Sequence, residues 1–191
     1  PKDNITLVCA NGLHRKWTPR ELKHILGRKV WAEMGPARIK NHDAEDPHQI
    51  RELGTSPRGG HPVALNRILK ESDLLVYVNV NWTSMNGGWK SVLVGLGAFE
   101  SIHEHHRAEV LEAGSIMDPA RSRFHEIMAD MGEVVLKEAN VFSIETVLNN
   151  DFLGPLARKL LAFDLRGEEA RAPLSARFTA RLPSPVKRFL S

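Results

Sequence analysis

Histidines are the residues of this chain best suited to acid–base or metal chemistry, and nine occur in 191 residues. His14 directly follows an apolar segment, 4–10, where a strand is predicted. An imidazole ordinarily titrates near neutral pH, so a histidine there can act as a general acid or base. His42 is a further candidate, whereas His61 precedes a proline in a turn-rich segment and is predicted to be structural. Position alone leaves His14 equally open to being an ordinary surface histidine.

A lysine closely follows a pair of glycines after the second clear apolar segment. Gly87 and Gly88 allow a ligand to approach the backbone, and a helix beginning there offers free N–H groups to an anion. Lys90 could then pair with a phosphate or act as a nucleophile. The pattern lacks the spacing of a Walker phosphate loop. Taken alone, it fits a solvated surface lysine better than a functional one.

Three histidines crowd four positions at 103, 105 and 106. Because helical neighbours at these spacings point in different directions, they cannot easily share one metal ion. One ligand with solvent-facing neighbours is favoured, and a neutral imidazole suits nickel, copper or zinc. A simple metal hydrolase is a weaker alternative, since no carboxylate stands at the usual HExxH spacing. A plain polar helix face is the remaining interpretation.

The composition narrows the class of protein. With 42% hydrophobic and 26% charged residues, the chain has the balance of a soluble domain with a core. One cysteine, Cys9, excludes a disulfide scaffold and a cysteine-based zinc site. No segment has the length and apolarity of a membrane span, and no signal peptide is recognisable. These features predict a cytoplasmic protein that does not bind a membrane.

The net charge of +3 is confined to one end of the sequence. Residues 171–191 hold five basic residues and no acidic one, which leaves 21 basic and 23 acidic residues in the rest of the chain. A basic surface that follows a phosphate backbone is therefore not predicted for the body of the protein, and nucleic acid is not an expected partner.

The elements that position these residues alternate between strand and helix. Strands are predicted at 4–10, 74–80 and 141–148, and a helix is predicted to begin with a capping box at Thr18 and to stop at Gly27. A further helix should bury one face, formed by Phe124, Ile127, Met128, Met131 and Val135. The alternation predicts an α/β fold with a mainly parallel sheet flanked by helices, with the His14 and Gly87–Gly88 loops at one edge. We expect an α/β domain over 1–166 and a basic tail, or the start of a second domain, over 167–191.

Taken in order, these segments resemble the nickel-dependent lactate racemase family over roughly residues 4 to 150. The specificity lies in the ordered set and in the position of His106, sixteen residues after Lys90. The matching segments are Gly12-Leu13-His14-Arg15, the Thr18–Gly27 helix with His42-Asp43 after it, Leu53-Gly54-Thr55, Gly60-His61-Pro62-Val63 with Asn66-Arg67, Asp73-Leu74-Leu75-Val76, Gly87-Gly88-Trp89-Lys90-Ser91 with Gly95, and Val147-Leu148-Asn149.

The resemblance implies a nickel-pincer cofactor, a pyridinium mononucleotide (pyridinium-3-thioamide-5-thiocarboxylic acid mononucleotide) whose two sulfur-bearing arms hold nickel. Lys90 would tether it through a thioamide, beside Gly87 and Gly88, and His106 would complete the metal site. Family members racemise or epimerise small 2-hydroxy acids by moving a hydride to the cofactor and back. His14 corresponds to one of the family's acid–base histidines.

The sequence departs from the family pattern before Gly87. The segment from Asp73 to Lys90 is about four residues shorter than in the family and lacks the family's second catalytic histidine. A one-base enzyme, an epimerase with a fixed substrate face, or a second base at His42 or His61 would each accommodate this. The alternative is a non-catalytic domain that binds the cofactor or an anion. We expect the chain to be either a truncated product or a diverged short form of a two-domain enzyme.

Overall fold

Strands and helices alternate along the chain. The computed structural model describes residues 2–83 and 85–147. The strands are β1 (Leu7–Cys9), β2 (Ile39–Asn41), β3 (Ile50–Thr55), β4 (Pro62–Asn66), β5 (Leu75–Asn81) and β6 (Val141–Val147). The helices are α1 (Pro19–Met34), α2 (Ile68–Glu71), α3 (Gly88–Gly95), α4 (Phe99–His105), α5 (Ala108–Glu112) and α6 (Arg123–Glu138). Short 3-10 turns lie at Lys2–Asn4, Pro36–Arg38 and Pro119–Arg121.

The strands pair two by two within the described residues. β1 with β2 and β5 with β6 are parallel, and β3 with β4 is antiparallel. The predicted α/β class with parallel strands and flanking helices is thus confirmed. The expectation that the His14 and Gly87–Gly88 loops meet at the edge of one sheet is wrong, because β1 and β5 belong to different sheets. Helix α3 connects the two regions instead, through a hydrogen bond from Gly12 N to Gly95 O of 3.0 Å.

Helix α1 begins as the sequence predicts and continues further. Thr18 Oγ1 accepts a hydrogen bond from Glu21 N, and the Glu21 carboxylate accepts one from Thr18 N, which completes the capping box. Gly27 adopts φ 78° and ψ 159°, so it breaks the helical path as expected. Helical structure resumes after this kink and runs to Met34, so the prediction that the helix stops at Gly27 is wrong.

The main hydrophobic core gathers around α6. Its predicted apolar face is confirmed, since all five residues, Phe124, Ile127, Met128, Met131 and Val135, are buried. They pack with side chains of β4 and α3, among them Val63, Leu65, Val92 and Leu93. Helices α3 and α4 therefore pack against α6. Lys90 lies in α3, and His106 directly follows α4.

The β5–β6 pair has two unlike faces. Val76, Val78, Phe142 and Ile144 are exposed on one face, whereas Tyr77 packs against the core on the other. β6 is followed as far as Val147, so Leu148 and Asn149, the expected boundary after residue 166 and the basic tail at 167–191 lie outside the described residues. Among the helices of the described part, none is long and apolar enough to cross a membrane.

Candidate functional site

A cavity of about 420 Å³ opens beside the loop that follows β1. His14 is exposed at this cavity, and its backbone N–H donates to Asn11 O over 2.9 Å, which fixes the turn. The lining residues are Gly12, Leu13, His14, Arg15, Lys16, His42, Asp43, Ala44, Glu45 and Phe99. A cavity of this volume has room for a small organic molecule, and the His14 imidazole is part of its lining.

The cations of this cavity are already paired with carboxylates. Lys16 Nζ lies 2.6 Å from Asp43 Oδ2, and Arg15 lies 2.6 Å from Glu21 Oε1. The hydrogen bond from Lys16 is the main reason why the pKa of Asp43 is lowered. An incoming acid would compete with these carboxylates for the two cations.

His42 lies at the cavity but is fully buried, and both of its ring nitrogens are bonded. Nε2 donates to Gly97 O over 2.9 Å, which leaves Nδ1 to accept from Asn66 Nδ2 over 3.0 Å. Burial lowers the pKa of His42. The neutral ring is therefore held in one tautomer, and proton transfer by His42 would require breaking one of these bonds.

Lys90 lies in the first turn of α3 and is half-buried. Its ammonium donates to Asn86 Oδ1 over 2.9 Å. Desolvation by burial lowers the pKa of Lys90. A larger fraction of neutral, nucleophilic amine is therefore present at a given pH than for an exposed lysine.

His106 directly follows α4 and is exposed as a residue, although its ring is partly buried. Nδ1 donates to the carbonyl of Ile102 over 3.0 Å, which leaves Nε2 with the lone pair. Partial burial lowers the pKa of His106, and the positive charge of Lys90 lowers it further. The fold has thus brought Lys90 and His106 into one electrostatic neighbourhood, and a histidine oriented by a backbone carbonyl is typical of metal ligands.

Two neighbouring histidines have buried ring nitrogens without a hydrogen-bond partner. His105 is fully buried and neither ring nitrogen is bonded, while Nδ1 of His125 is also unpartnered. The His105 ring packs edge-on against Phe124 at 5.6 Å. Burial lowers the pKa of His105 to about 3, with smaller contributions from His106, His61 and Lys90. These unsatisfied nitrogens are polar atoms that a bound group could satisfy.

His61 is buried and forms a pair with the half-buried Glu104, which the sequence did not indicate as its partner. Its Nδ1 donates to Glu104 Oε2 over 3.1 Å. The loop that carries His61 is fixed from α6, because the buried Asp130 carboxylate accepts from Arg58 N and Gly59 N at 3.1 and 2.8 Å. The pairing could not be read from the sequence, since 43 positions separate the two residues.

The paired glycines lie at the start of α3, but the expected free N–H groups are not all free. Gly88 N donates to Glu145 Oε1 over 2.6 Å. The expectation of an open anion site at this helix start is therefore wrong at Gly88, because a carboxylate of the chain itself fills the position. Glu145 was missed by sequence reasoning, although a charge inside an otherwise uncharged strand was a visible signal.

The predicted site residues fall into two groups. His14 and His42 line the cavity. Lys90 and His106 are not among its lining residues, and they interact electrostatically with each other. α3 spans the two groups, with Lys90 in its first turn and Gly95 bonded to the His14 loop. Within residues 2–83 and 85–147, no three or more His, Cys, Asp or Glu side chains are arranged to hold a metal ion. A metal at His106 would therefore take its other donors from beyond these side chains.

Comparison with known proteins identifies the family. The model of the lactate racemase N-terminal domain matches residues 1–118, more than half of the chain. The chain belongs to the lactate racemase N-terminal domain family.

Two curated relatives agree with this assignment. The chain is 26% identical to a lactate racemase of Lactiplantibacillus plantarum over 160 residues, covering 79% of this chain and 35% of that protein. It is 28% identical to a lactate racemase of Thermoanaerobacterium thermosaccharolyticum over 118 residues, covering 57% of this chain and 26% of that protein. The chain thus spans about a quarter to a third of the length of these relatives.

Solved structures share the fold. The lactate racemase apoprotein from T. thermosaccharolyticum superposes with a TM-score of 0.62 at 24% identity, over 77% of this chain and 35% of that one. A Thermotoga maritima protein solved by structural genomics superposes with a TM-score of 0.59 at 20% identity, over 76% and 39%. These likenesses establish the α/β architecture of the lactate racemase-like chain.

Proposed function

We propose that this lactate racemase-like chain is the cofactor-holding part of an isomerase that racemises or epimerises a small 2-hydroxy acid with a nickel-pincer nucleotide. The observation that carries the proposal is that the positive charge of Lys90 acts on His106, whose ring is fixed by its bond to Ile102 O. A nucleophilic amine and an oriented imidazole, sixteen residues apart in sequence, thus interact electrostatically. Family membership supports the same conclusion.

Lys90 fits the tethering role. Its amine is half-buried and its pKa is lowered by that burial, so it would be the group that holds the cofactor. The thioamide would join the amine nitrogen to the thiocarboxylic acid carbon, with the carbon–oxygen bond of that acid broken and its oxygen released as water. Asn86 accepts a hydrogen bond from the amine and would orient it before the attachment.

His106 fits the metal-ligating role. The bond from Nδ1 to Ile102 O leaves the Nε2 lone pair for the metal and fixes the ring plane. Sulfur and carbon donors brought by the cofactor, with one imidazole, suit square-planar nickel. When bound, the nickel-pincer group would supply a hydride acceptor and donor for the substrate C2 carbon. The unpartnered nitrogens of His105 and His125 are additional polar contacts for a bound group.

His14 fits the proton-transfer role because its ring is exposed at the cavity. It would take the proton from the substrate C2 hydroxyl oxygen as the C2–H bond breaks, and return it when that bond forms again. A base on the opposite substrate face would have to come from elsewhere. His42 has both ring nitrogens bonded, whereas His61 is bonded through Nδ1, to Glu104.

Intact-mass analysis tests the proposal. The 191-residue chain would be produced together with the cofactor-assembly enzymes, beside the variants Lys90→Ala and Lys70→Ala. Lys70 is a suitable control because it is bonded to Glu138, away from the site. We expect added mass on the wild type and on Lys70→Ala, and none on Lys90→Ala. An unmodified wild-type chain would overturn the proposal.

Inversion at C2 separates an enzyme from a binding domain. The loaded chain would be incubated with single stereoisomers of 2-hydroxy acids and sugar acids, and chiral chromatography would follow the appearance of the C2 epimer. Because the C2 hydrogen would move as a hydride to the cofactor and back, a C2-deuterated substrate should keep its label while its configuration inverts. Inversion at C2 of any of them supports the isomerase. A chain that carries the cofactor but inverts none of them would instead be the non-catalytic cofactor-binding domain, an outcome consistent with Asn79 and Asn81 in the segment that lacks a histidine.

A further inference from the structure

The first turn of α3 is held to the β5–β6 pair by the Glu145 carboxylate. Oε1 accepts from Gly88 N over 2.6 Å and from the Ser143 hydroxyl over 3.2 Å. Oε2 accepts from Asn81 Nδ2 over 2.9 Å. Both carboxylate oxygens are therefore occupied, and the negative charge lies where the positive end of the helix dipole favours it.

The Glu145 carboxylate packs closely against the turn before α3. Gly87 adopts φ 92°, a conformation that residues with a side chain rarely take. A Cβ at Gly87 would lie 2.6 Å from Glu145 Oε2 and 2.7 Å from Asn81 Nδ2. Glycine at this position is therefore explained by contact with the chain's own side chains, without any ligand.

A second connection holds the helix one residue after Lys90. Asn79 Nδ2 donates to Asn81 Oδ1 over 2.6 Å and to the buried Ser91 hydroxyl over 3.0 Å. Asn79 and Glu145 are partners in the register of β5 and β6, so one polar network emerges from the sheet. It reaches α3 at Gly88 and at Ser91 and thereby brackets Lys90.

We propose that Glu145 is a positioning residue for Lys90, which fixes the Gly87–Gly88 turn and sets where the Lys90 amine stands relative to His106. The inference deepens the proposed function, and its significance for the reaction rests on that function. Asn79 and Asn81 extend the same network in the segment where the family's second catalytic histidine is missing. In this chain that segment instead helps to fix the Gly87–Gly88 turn that precedes Lys90.

The experiment compares the cofactor-free 191-residue chain with Glu145→Ala and Glu145→Gln. The matched control is Glu126→Gln, a carboxylate in the first turn of α6 that is bonded to the exposed Arg123. Hydrogen exchange at the amides of residues 88–91 reports the turn. We expect about tenfold faster exchange in Glu145→Ala, from loss of a charge-assisted hydrogen bond. Glu145→Gln should change less, because its amide oxygen still accepts from Gly88 N, and the control should match the wild type.

The reactivity of Lys90 distinguishes positioning from a merely structural role. The rate of Lys90 acylation by acetic anhydride would be followed across pH 7 to 11 by peptide mass spectrometry. In Glu145→Ala, we expect the dependence of the Lys90 acylation rate on pH to shift to higher pH, toward that of an exposed lysine. Glu145→Gln should lie between Glu145→Ala and the wild type. A Lys90 profile identical to the wild type in both variants, measured with circular dichroism showing native folding, would overturn the proposal. If Glu145→Ala does not fold, Glu145→Gln and Asn79→Ala give the same comparison.

This result is independent of the test of the function. Failure of positioning shows as unchanged Lys90 acylation in the cofactor-free chain. Failure of the proposed function shows as the absence of added mass on Lys90 when the assembly enzymes are present.

Discussion

Nδ1 of His106 donates a hydrogen bond to the carbonyl oxygen of Ile102, four residues earlier, over 3.0 Å. The carbonyl accepts only from a protonated nitrogen, so the bond selects the tautomer whose lone pair is on Nε2. It also holds the ring beside the end of α4 while Lys90 reaches the same neighbourhood from α3. The His106 imidazole is therefore held in one tautomer and one orientation.

The first prediction concerns nickel binding at His106. In chains produced with the cofactor-assembly enzymes, His106→Ala should lose nickel because it removes the protein's imidazole donor. His103→Ala should retain nickel, since His103 is exposed and stacks on Phe99 at a ring-centroid distance of 6.1 Å. Metal analysis by mass spectrometry gives the ratio of nickel to protein. Equal nickel content in the two variants would contradict the role of His106.

The second prediction concerns the amine of Lys90. Its pKa is lowered by burial, while the pKa of Lys16 is raised by its hydrogen bond to Asp43, both from an ordinary value of 10.5. Because only the neutral amine reacts, Lys90 should be half-maximally acylated below pH 10.5 and Lys16 above it. Peptide mass spectrometry after pulse acylation measures both in the same sample. The reverse order would show that Lys90 is not desolvated.

The third prediction concerns stability in mild acid. The folded-state pKa values of His42 and His105 are lowered, that of His105 to about 3, while an unfolded histidine titrates near 6.5. The unfolded chain then binds more protons at mildly acidic pH. The stability that these two histidines contribute is therefore fully present above about pH 6.5. It falls as pH decreases toward the folded pKa values, by up to about 1.4 kcal/mol per pH unit for each histidine.

Urea unfolding at pH 7.5, 6 and 5 checks this dependence, with His105→Leu as the informative variant. Neither ring nitrogen of His105 is bonded and the ring packs against Phe124, so an apolar side chain loses no hydrogen bond there. The variant should lose less stability between pH 7.5 and 5 than the wild type. The exposed His103→Leu should behave as the wild type does. Parallel pH dependences for all three chains would refute the assignment to His105.

The fourth prediction concerns the buried bond between Asn66 and His42. Asn66→Ala leaves Nδ1 of the buried His42 without its donor, which should cost about 1–3 kcal/mol of unfolding free energy. Asn140→Ala is the control, because Asn140 is exposed and donates to Asp73 O at the surface. It should cost under about 0.5 kcal/mol. Equal losses in urea unfolding would mean that the His42 bond contributes nothing specific.

The fifth prediction separates His14 from His42. His14 is exposed, so His14→Ala should change the free energy of unfolding by no more than about 0.5 kcal/mol. In the loaded chain it should slow inversion at C2 by about 10²–10⁴-fold, the usual contribution of a general base. His42→Ala should chiefly lower stability, since it empties a fully buried site. An unchanged rate of inversion in folded His14→Ala would exclude His14 as the base.

Local signals in the sequence were reliable where neighbours along the chain decide the structure. The capping box of Thr18 and Glu21 and the buried face of α6 formed as predicted, because both depend on residues three or four positions apart. The kink at Gly27 also followed from one residue's conformational freedom. Its failure to end α1 shows the limit of such signals, because helical structure resumes on the far side.

The candidate site could be predicted only in part. The sequence nominated His14, His42, Lys90 and His106 from residue type and order. It could not show that both ring nitrogens of His42 are occupied, because Gly97 and Asn66 lie 55 and 24 positions away. Nor could it show that Glu145 fills the anion position at Gly88, 57 positions earlier in the chain.

The sequence by itself determined the alternation of strands and helices, the family and the order of the reactive residues, since these depend on local propensity and on residue identity. The tertiary structure decided which side chains are available for chemistry. Hydrogen bonding and desolvation are set by contacts between distant segments, and they left His105 unpaired, lowered the pKa of Lys90 and took up both nitrogens of His42. Such contacts also placed the Glu145 carboxylate against the Gly87–Gly88 turn that precedes Lys90.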